Sequence, residues 1–220
     1  MACVEMASSL RGGSRNDSRR GAGVLDIRSR LRYLCGMRTK AQIARLVITG
    51  APGSAKTEFF ERLKHESEFA EFHFFDELAR QLLEEDPSYR NRWGEFHREI
   101  YRRQVSREDA VRGESFVSDR GTVDAFAFHP ETAEDLDTTI DDEYRRYTGV
   151  VQLQTSAALG PDAYQNDTIR QESADTAMEI ERYLTKAWQD HPGYVFIAAS
   201  HELEKKYEEF LAAMKRVAGF

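Results

Sequence analysis

Lys56 and Thr57 close an octapeptide, GAPGSAKT from Gly50 to Thr57, whose residue types suit the holding of phosphate. Glycines let a backbone fold into a concavity whose N–H groups converge on an anion, and a helix starting there adds the positive end of its dipole. In that chemistry Gly50, Ala51, Pro52, Gly53, Ser54 and Ala55 cradle a nucleoside triphosphate, with ATP and Mg²⁺ the expected pair. Lys56 then reaches the β- and γ-phosphates, and Thr57 offers its hydroxyl to the metal. Ala55 departs from the usual pattern, which has a second glycine before the lysine, and its methyl group restricts the backbone there. What separates this string from a mere Gly-rich turn is its context, the apolar run LVIT before it and a helical pattern after it.

Three further groups carry chemistry. SFVSDRGTVDAF places Asp119 and Arg120 where a short β-rich run ends. Parallel α/β sheets bind ligands at the carboxyl ends of their strands, so Asp119 can hold Mg²⁺ through water or receive a substrate proton, and Arg120 can pair with phosphate or carboxylate. A capping Asp and a surface Arg is the plainer reading of the same residues. Asp76 and Glu77 follow the preceding β-rich run, where one carboxylate can point into the cleft; Glu77 shares a helix face with Arg80, a spacing that also makes a simple surface ion pair. The loop AALGPDAYQNDTIRQES is long enough for a lid: Arg170 can offset transition-state charge, and Tyr164 and Glu172 can meet substrate or base. An Asn-Asp-Thr helix start with an exposed Arg explains that loop equally well. The acidic run from Glu131 to Glu143 reads as a solvated helix face, the histidines lack metal-ligand spacing, and His201, near the end of the fifth run, can touch a nucleotide base but reads more simply as a surface residue.

The elements that must position these groups alternate. Short apolar, β-rich runs occupy 45–49, 72–75, 115–118, 150–153 and 194–198. Helical patterns lie at 57–64, 77–85, 90–112, within 132–147, and at 171–189 and 202–217; in the last, Leu203, Tyr207, Phe210, Leu211 and Met214 fall at helical spacing. This alternation predicts an α/β fold, a five-stranded parallel sheet with helices on both faces.

Composition bounds the partners. The 220 residues are 40% apolar and 31% charged, with no apolar run long enough to span a bilayer. Residues 1–40 hold nine Lys or Arg against three acids, and their Arg, Gly and Ser content favours disorder, so they are set apart from a domain at 41–220. They have some features of a transit peptide, and Met37 is an alternative start. The remainder carries 22 basic and 35 acidic residues, a net −13 that disfavours nucleic acid, polynucleotide ends included, and leaves small-molecule or protein partners. Only Cys3 and Cys35 are available as thiols, which points to a cytoplasmic setting.

Taken together, LVITGAPGSAKT, FFDELARQLL, SFVSDRGTVDAF and YQNDTIRQESADTAMEIERYL resemble the AAA-type P-loop domain shared with the kinase half of NadR, a bacterial protein of NAD biosynthesis. The resemblance spans about residues 44–220 and implies a P-loop NTPase fold with strand order 2-3-1-4-5. It also implies ATP binding, with Lys56 and Thr57 at the phosphate and Mg²⁺ positions, Asp119 and Arg120 as the DR pair, and Arg170 as the lid arginine. Two functions follow from these readings. One is phosphoryl transfer from ATP to a small hydroxyl-bearing acceptor such as a nucleoside, with Glu77 or Asp119 orienting the hydroxyl. The other is a nucleotide-binding switch for a protein partner with little turnover. Neither ATP nor GTP is singled out by a base-reading motif.

Overall fold

Leu46, Val47 and Ile48 are completely buried, as three consecutive apolar residues are when a strand is covered on both faces. They belong to β1 (Arg45–Gly50), the central strand of an all-parallel sheet ordered β2-β3-β1-β4-β5 in the computed structural model, which describes residues 43–164 and 172–220. The other strands are β2 (His73–Phe75), β3 (Phe116–Asp119), β4 (Gly149–Leu153) and β5 (Tyr194–Ile197). All five coincide with the predicted runs to within one residue at either end, and their order is the one the resemblance implied.

Eight helices accompany the sheet among the described residues: α1 (Lys56–Leu63), α2 (Leu78–Glu85), α3 (Trp93–Ala110), α4 (Thr122–Phe128), α5 (Glu131–Leu136), α6 (Ile140–Tyr144), α7 (Ala174–Trp188) and α8 (Leu203–Ala218). Side chains alternate across β1. Leu46 and Ile48 pack with Phe59, Phe60 and Leu63 of α1 and with Tyr207, Phe210 and Met214 of α8. Val47 points the other way, into a second core with Val123 of α4 and with Ala187 and Trp188 of α7. Full burial of each such phenylalanine contributes on the order of 2–3 kcal/mol, which makes the sheet a rigid frame for whatever its strand ends carry.

Register decides which ends meet. Ile48 lies beside Asp119 and Gly50 beside Leu153, so β1 runs into its loop with the carboxyl ends of β3 and β4 on either side.

The helices differ from the predicted pattern in three places. Helix α4 has no counterpart in the sequence reading because Thr122 to Phe126 are all buried, leaving no polar face to set a helical period. The stretch within 132–147 breaks into α5 and α6, the latter capped by Thr139, whose side chain accepts from the Asp142 N–H at 3.2 Å. Glu143 in this acidic stretch is not solvated: it is buried and accepts from the hydroxyls of Tyr101 and Thr138, each at 2.7 Å. Helix α3 starts at Trp93 rather than Arg90, since Asp86 caps a short 3-10 turn over Pro87–Asn91. The expected disorder of residues 1–40 and the role of Arg170 lie outside the described residues. Among the described residues no helix is long and apolar enough to cross a membrane.

Candidate functional site

Between β1 and α1 the chain makes the turn that the octapeptide foreshadowed. Gly53 has φ +79°, and a Cβ there would stand 2.7 Å from the Tyr164 ring, so neither the backbone angle nor the space admits a side chain. Ala55 has φ +69° and ψ +15°, a left-handed conformation that costs a non-glycine residue on the order of 1–2 kcal/mol. The methyl group is therefore accommodated, at the expense of strain located in the loop itself.

Three successive loop carbonyls are held from outside. The Thr155 hydroxyl donates to Pro52 O at 2.6 Å, the Ser156 N–H to Gly53 O at 3.1 Å, and the Lys206 ammonium to Ser54 O at 2.9 Å. Thr155 is fixed in turn by Glu181 of α7, which accepts its N–H at 2.6 Å. Lys206 also donates to Gln154 O at 2.7 Å.

Lys56 begins α1 and is buried, with its ammonium on the carboxylate of Asp119 at the end of β3. Burial pushes the Asp119 carboxyl above its ordinary range while Lys56 pulls against it. Arg120 follows with φ +69°, a second non-glycine residue in left-handed backbone, and its N–H still bonds Ile48 O at 3.0 Å. Its guanidinium bonds Glu77 at 2.8 Å and Asp124 at 3.1 Å. Burial opposes ionisation of Glu77, but Arg120 and then Lys56 overcome it and hold its carboxyl down at about 2. Burial likewise opposes the charge on Arg120, yet Glu77 and Asp124 raise its pKa further above the ordinary arginine value. Thr57 stays exposed in the first turn of α1.

The loop, with Glu77, Arg120 and Glu172, lines a cleft of about 440 Å³. A second cavity of about 310 Å³ abuts it, the two sharing Pro52, Glu77, Arg120 and Glu172. The walls of the second are mainly apolar, with Trp93, Phe96, His97 and Phe128 among them and Gln104, Asp119 and Asp124 as polar points. His97 is only 3% exposed, and neither ring nitrogen has a hydrogen-bond partner among the described residues. Burial lowers its pKa to about 4, with His129 adding a smaller push in the same direction.

The structure thus brings Gly50 to Thr57, Glu77, Asp119 and Arg120 to one place. Glu77 pairs with Arg120 rather than remaining a surface partner of Arg80, and Asp76 stays outside, exposed and bonded to Lys64 at 2.9 Å. Tyr164 packs on Gly53 and donates to Glu172 O at 3.2 Å, so the two flanks of the proposed lid meet beside the loop. His201 is exposed.

Sequence reasoning missed the donors Thr155, Ser156 and Lys206 that hold the loop carbonyls, the Glu181 carboxylate behind Thr155, and the aromatic wall. One signal was present: Lys206 falls three residues after Leu203 and four before Phe210, on the apolar stripe of α8, where a charge is out of place.

A family model described as an AAA domain matches residues 45–206. A search of curated proteins finds no match to the chain. Since the matched span takes in the phosphate-type loop, all five strands and most of the helices that flank them, the chain belongs to the AAA-domain family of P-loop proteins.

Proposed function

We propose that the chain transfers the terminal phosphoryl group of ATP to a hydroxyl on a small acceptor, such as a nucleoside, seated in the cavity beside the loop. The observation that carries this reading is the sharing of Glu77 and Arg120 between a phosphate-type cleft and an apolar cavity. A triphosphatase needs only the first, whereas a transferase needs a second, dry compartment that keeps water from competing with the acceptor.

In this reading the loop amides and Lys56 hold the triphosphate. The acceptor oxygen attacks the γ-phosphorus, the bond to the β–γ bridging oxygen breaks, and the hydroxyl proton passes to a carboxylate. Both line the apolar cavity, but Asp119 suits that role better than Glu77, since burial raises its affinity for a proton whereas Arg120 holds the Glu77 carboxyl ionised. Glu77 orients Arg120, which offsets charge on the moving group, with Arg170 assigned the same task from the lid. The exposed Thr57 hydroxyl would hold Mg²⁺, which would neutralise phosphate charge; Asp119, the alternative ligand, acts in this reading as the proton acceptor instead.

Ala55 favours a second reading, a nucleotide-dependent switch for a protein partner, because a strained loop can bind without positioning for transfer. Phosphate release from ATP and from GTP, with and without a panel of nucleosides, separates the two. Acceptor-stimulated turnover carries the transferase; tight binding with no turnover under any acceptor carries the switch. Lys56→Ala is expected to abolish triphosphate binding in either case, and unchanged affinity would sink both.

A further inference from the structure

Lys206 is buried to 3% exposure on α8, far in sequence from the loop, and neither chemistry above employs it. Its ammonium bridges Ser54 O and Gln154 O, tying the loop to the end of β4. The carbonyl of Ser54 and the N–H of Ala55 belong to one rigid peptide plane. Whatever fixes that carbonyl therefore constrains the backbone on entry to Ala55, the residue held at φ +69°. A charge-assisted bond to the carbonyl also polarises the same plane, strengthening the Ala55 N–H as a donor toward an anion.

We propose that Lys206 is a positioning residue for the phosphate loop: by clamping the Ser54–Ala55 peptide it lets an alanine serve where this loop pattern has glycine. The proposal rests on the loop being a phosphate binder. A left-handed alanine is disfavoured by about tenfold against its ordinary conformations, and two charge-assisted bonds are enough to offset that. Thr155 and Ser156 hold the two preceding carbonyls with neutral donors, so the one charged clamp sits at the one strained peptide. Burial brings the Lys206 pKa down to about 8, with Glu181 of α7 opposing the fall. The side chain is thus charged at neutral pH.

The test is a double-mutant cycle in the full chain over Lys206→Met and Ala55→Gly, read by MgATP affinity. Lys206→Met is expected to weaken binding about tenfold with Ala55 present and less than about threefold in the Ala55→Gly background, because glycine adopts the left-handed angle unaided. Equal losses in both backgrounds would make Lys206 a merely structural lysine and overturn the proposal, as would no loss in either. Amide hydrogen exchange across residues 52–57 without nucleotide repeats the cycle independently of binding. Faster exchange in Lys206→Met that Ala55→Gly suppresses supports the clamp, and unchanged exchange refutes it. If wild type bound neither ATP nor GTP, the phosphate-binding reading would fall while the exchange arm still decided the clamp. Should Lys206→Met fail to fold, Lys206→Gln keeps a neutral N–H donor and is read the same way, with an intermediate loss expected and wild-type behaviour overturning the idea.

Discussion

Ala55 and Arg120 both occupy left-handed backbone, one in the phosphate loop and the other at the end of β3. Strain of this kind persists only where surroundings over-determine it, and here the surroundings are Lys206 for the first and the Glu77 and Asp124 carboxylates for the second. Ala55→Gly is expected to raise stability by about 0.5 kcal/mol, the relief of strain outweighing the extra entropy of an unfolded glycine. Urea denaturation of the two proteins measures it. His97 sets a pH dependence. Its pKa in the fold, about 4, lies below the unfolded value near 6.5, so between those values the unfolded chain binds more protons. Stability contributed by His97 is therefore intact above pH 6.5 and falls as pH drops, by up to about 3 kcal/mol near pH 4. Denaturation midpoints at several pH values, compared with His97→Leu, should show that slope flatten in the variant; identical slopes would refute the assignment.

Asp124 works at the level of elements. It accepts from the Thr49 hydroxyl of β1 at 2.8 Å, the Trp188 indole N–H of α7 at 2.5 Å and Arg120 at 3.1 Å, joining three parts of the fold from its place on α4. Replacing it by Ala leaves a buried hydroxyl and a buried indole N–H unsatisfied and removes one of the partners of Arg120. A loss of about 3–5 kcal/mol is expected, measured by thermal or urea unfolding. Asp124→Asn keeps the shape and one acceptor and should cost less than half as much; equal losses would mean that the negative charge rather than an acceptor at that place sets the role of Asp124.

For the molecule as a whole, the reading as a nucleotide binder has a thermodynamic consequence. A ligand that binds only the folded chain stabilises it by about 2.7 kcal/mol at a hundred times its Kd. Raising MgATP should therefore raise the unfolding temperature of the wild-type protein and leave that of Lys56→Ala unmoved. An acidic body of net −13 predicts no comparable shift with DNA or RNA at physiological salt.

The strands and the loop were legible in the sequence because their signals are local. LVIT followed by GAPGSAKT and a helical pattern specifies strand, turn and helix from neighbouring residues alone, and buried parallel strands announce themselves as short apolar runs. Asp119 and Arg120 were legible as candidates because a strand end is where such residues meet ligands. Helix α4 was not, since a helix buried all round has no period to read. The pairing of Glu77 with Arg120, 43 residues apart, the aromatic wall that α3 and α4 give the cavity, and the reach of Lys206 to a carbonyl 152 residues away depend on how β2, β3 and α8 pack about β1. Local pattern determined the phosphate loop; only the tertiary structure decided what stands behind it and beside it, because contacts between distant segments are set by strand order and register, which neighbouring residues do not encode.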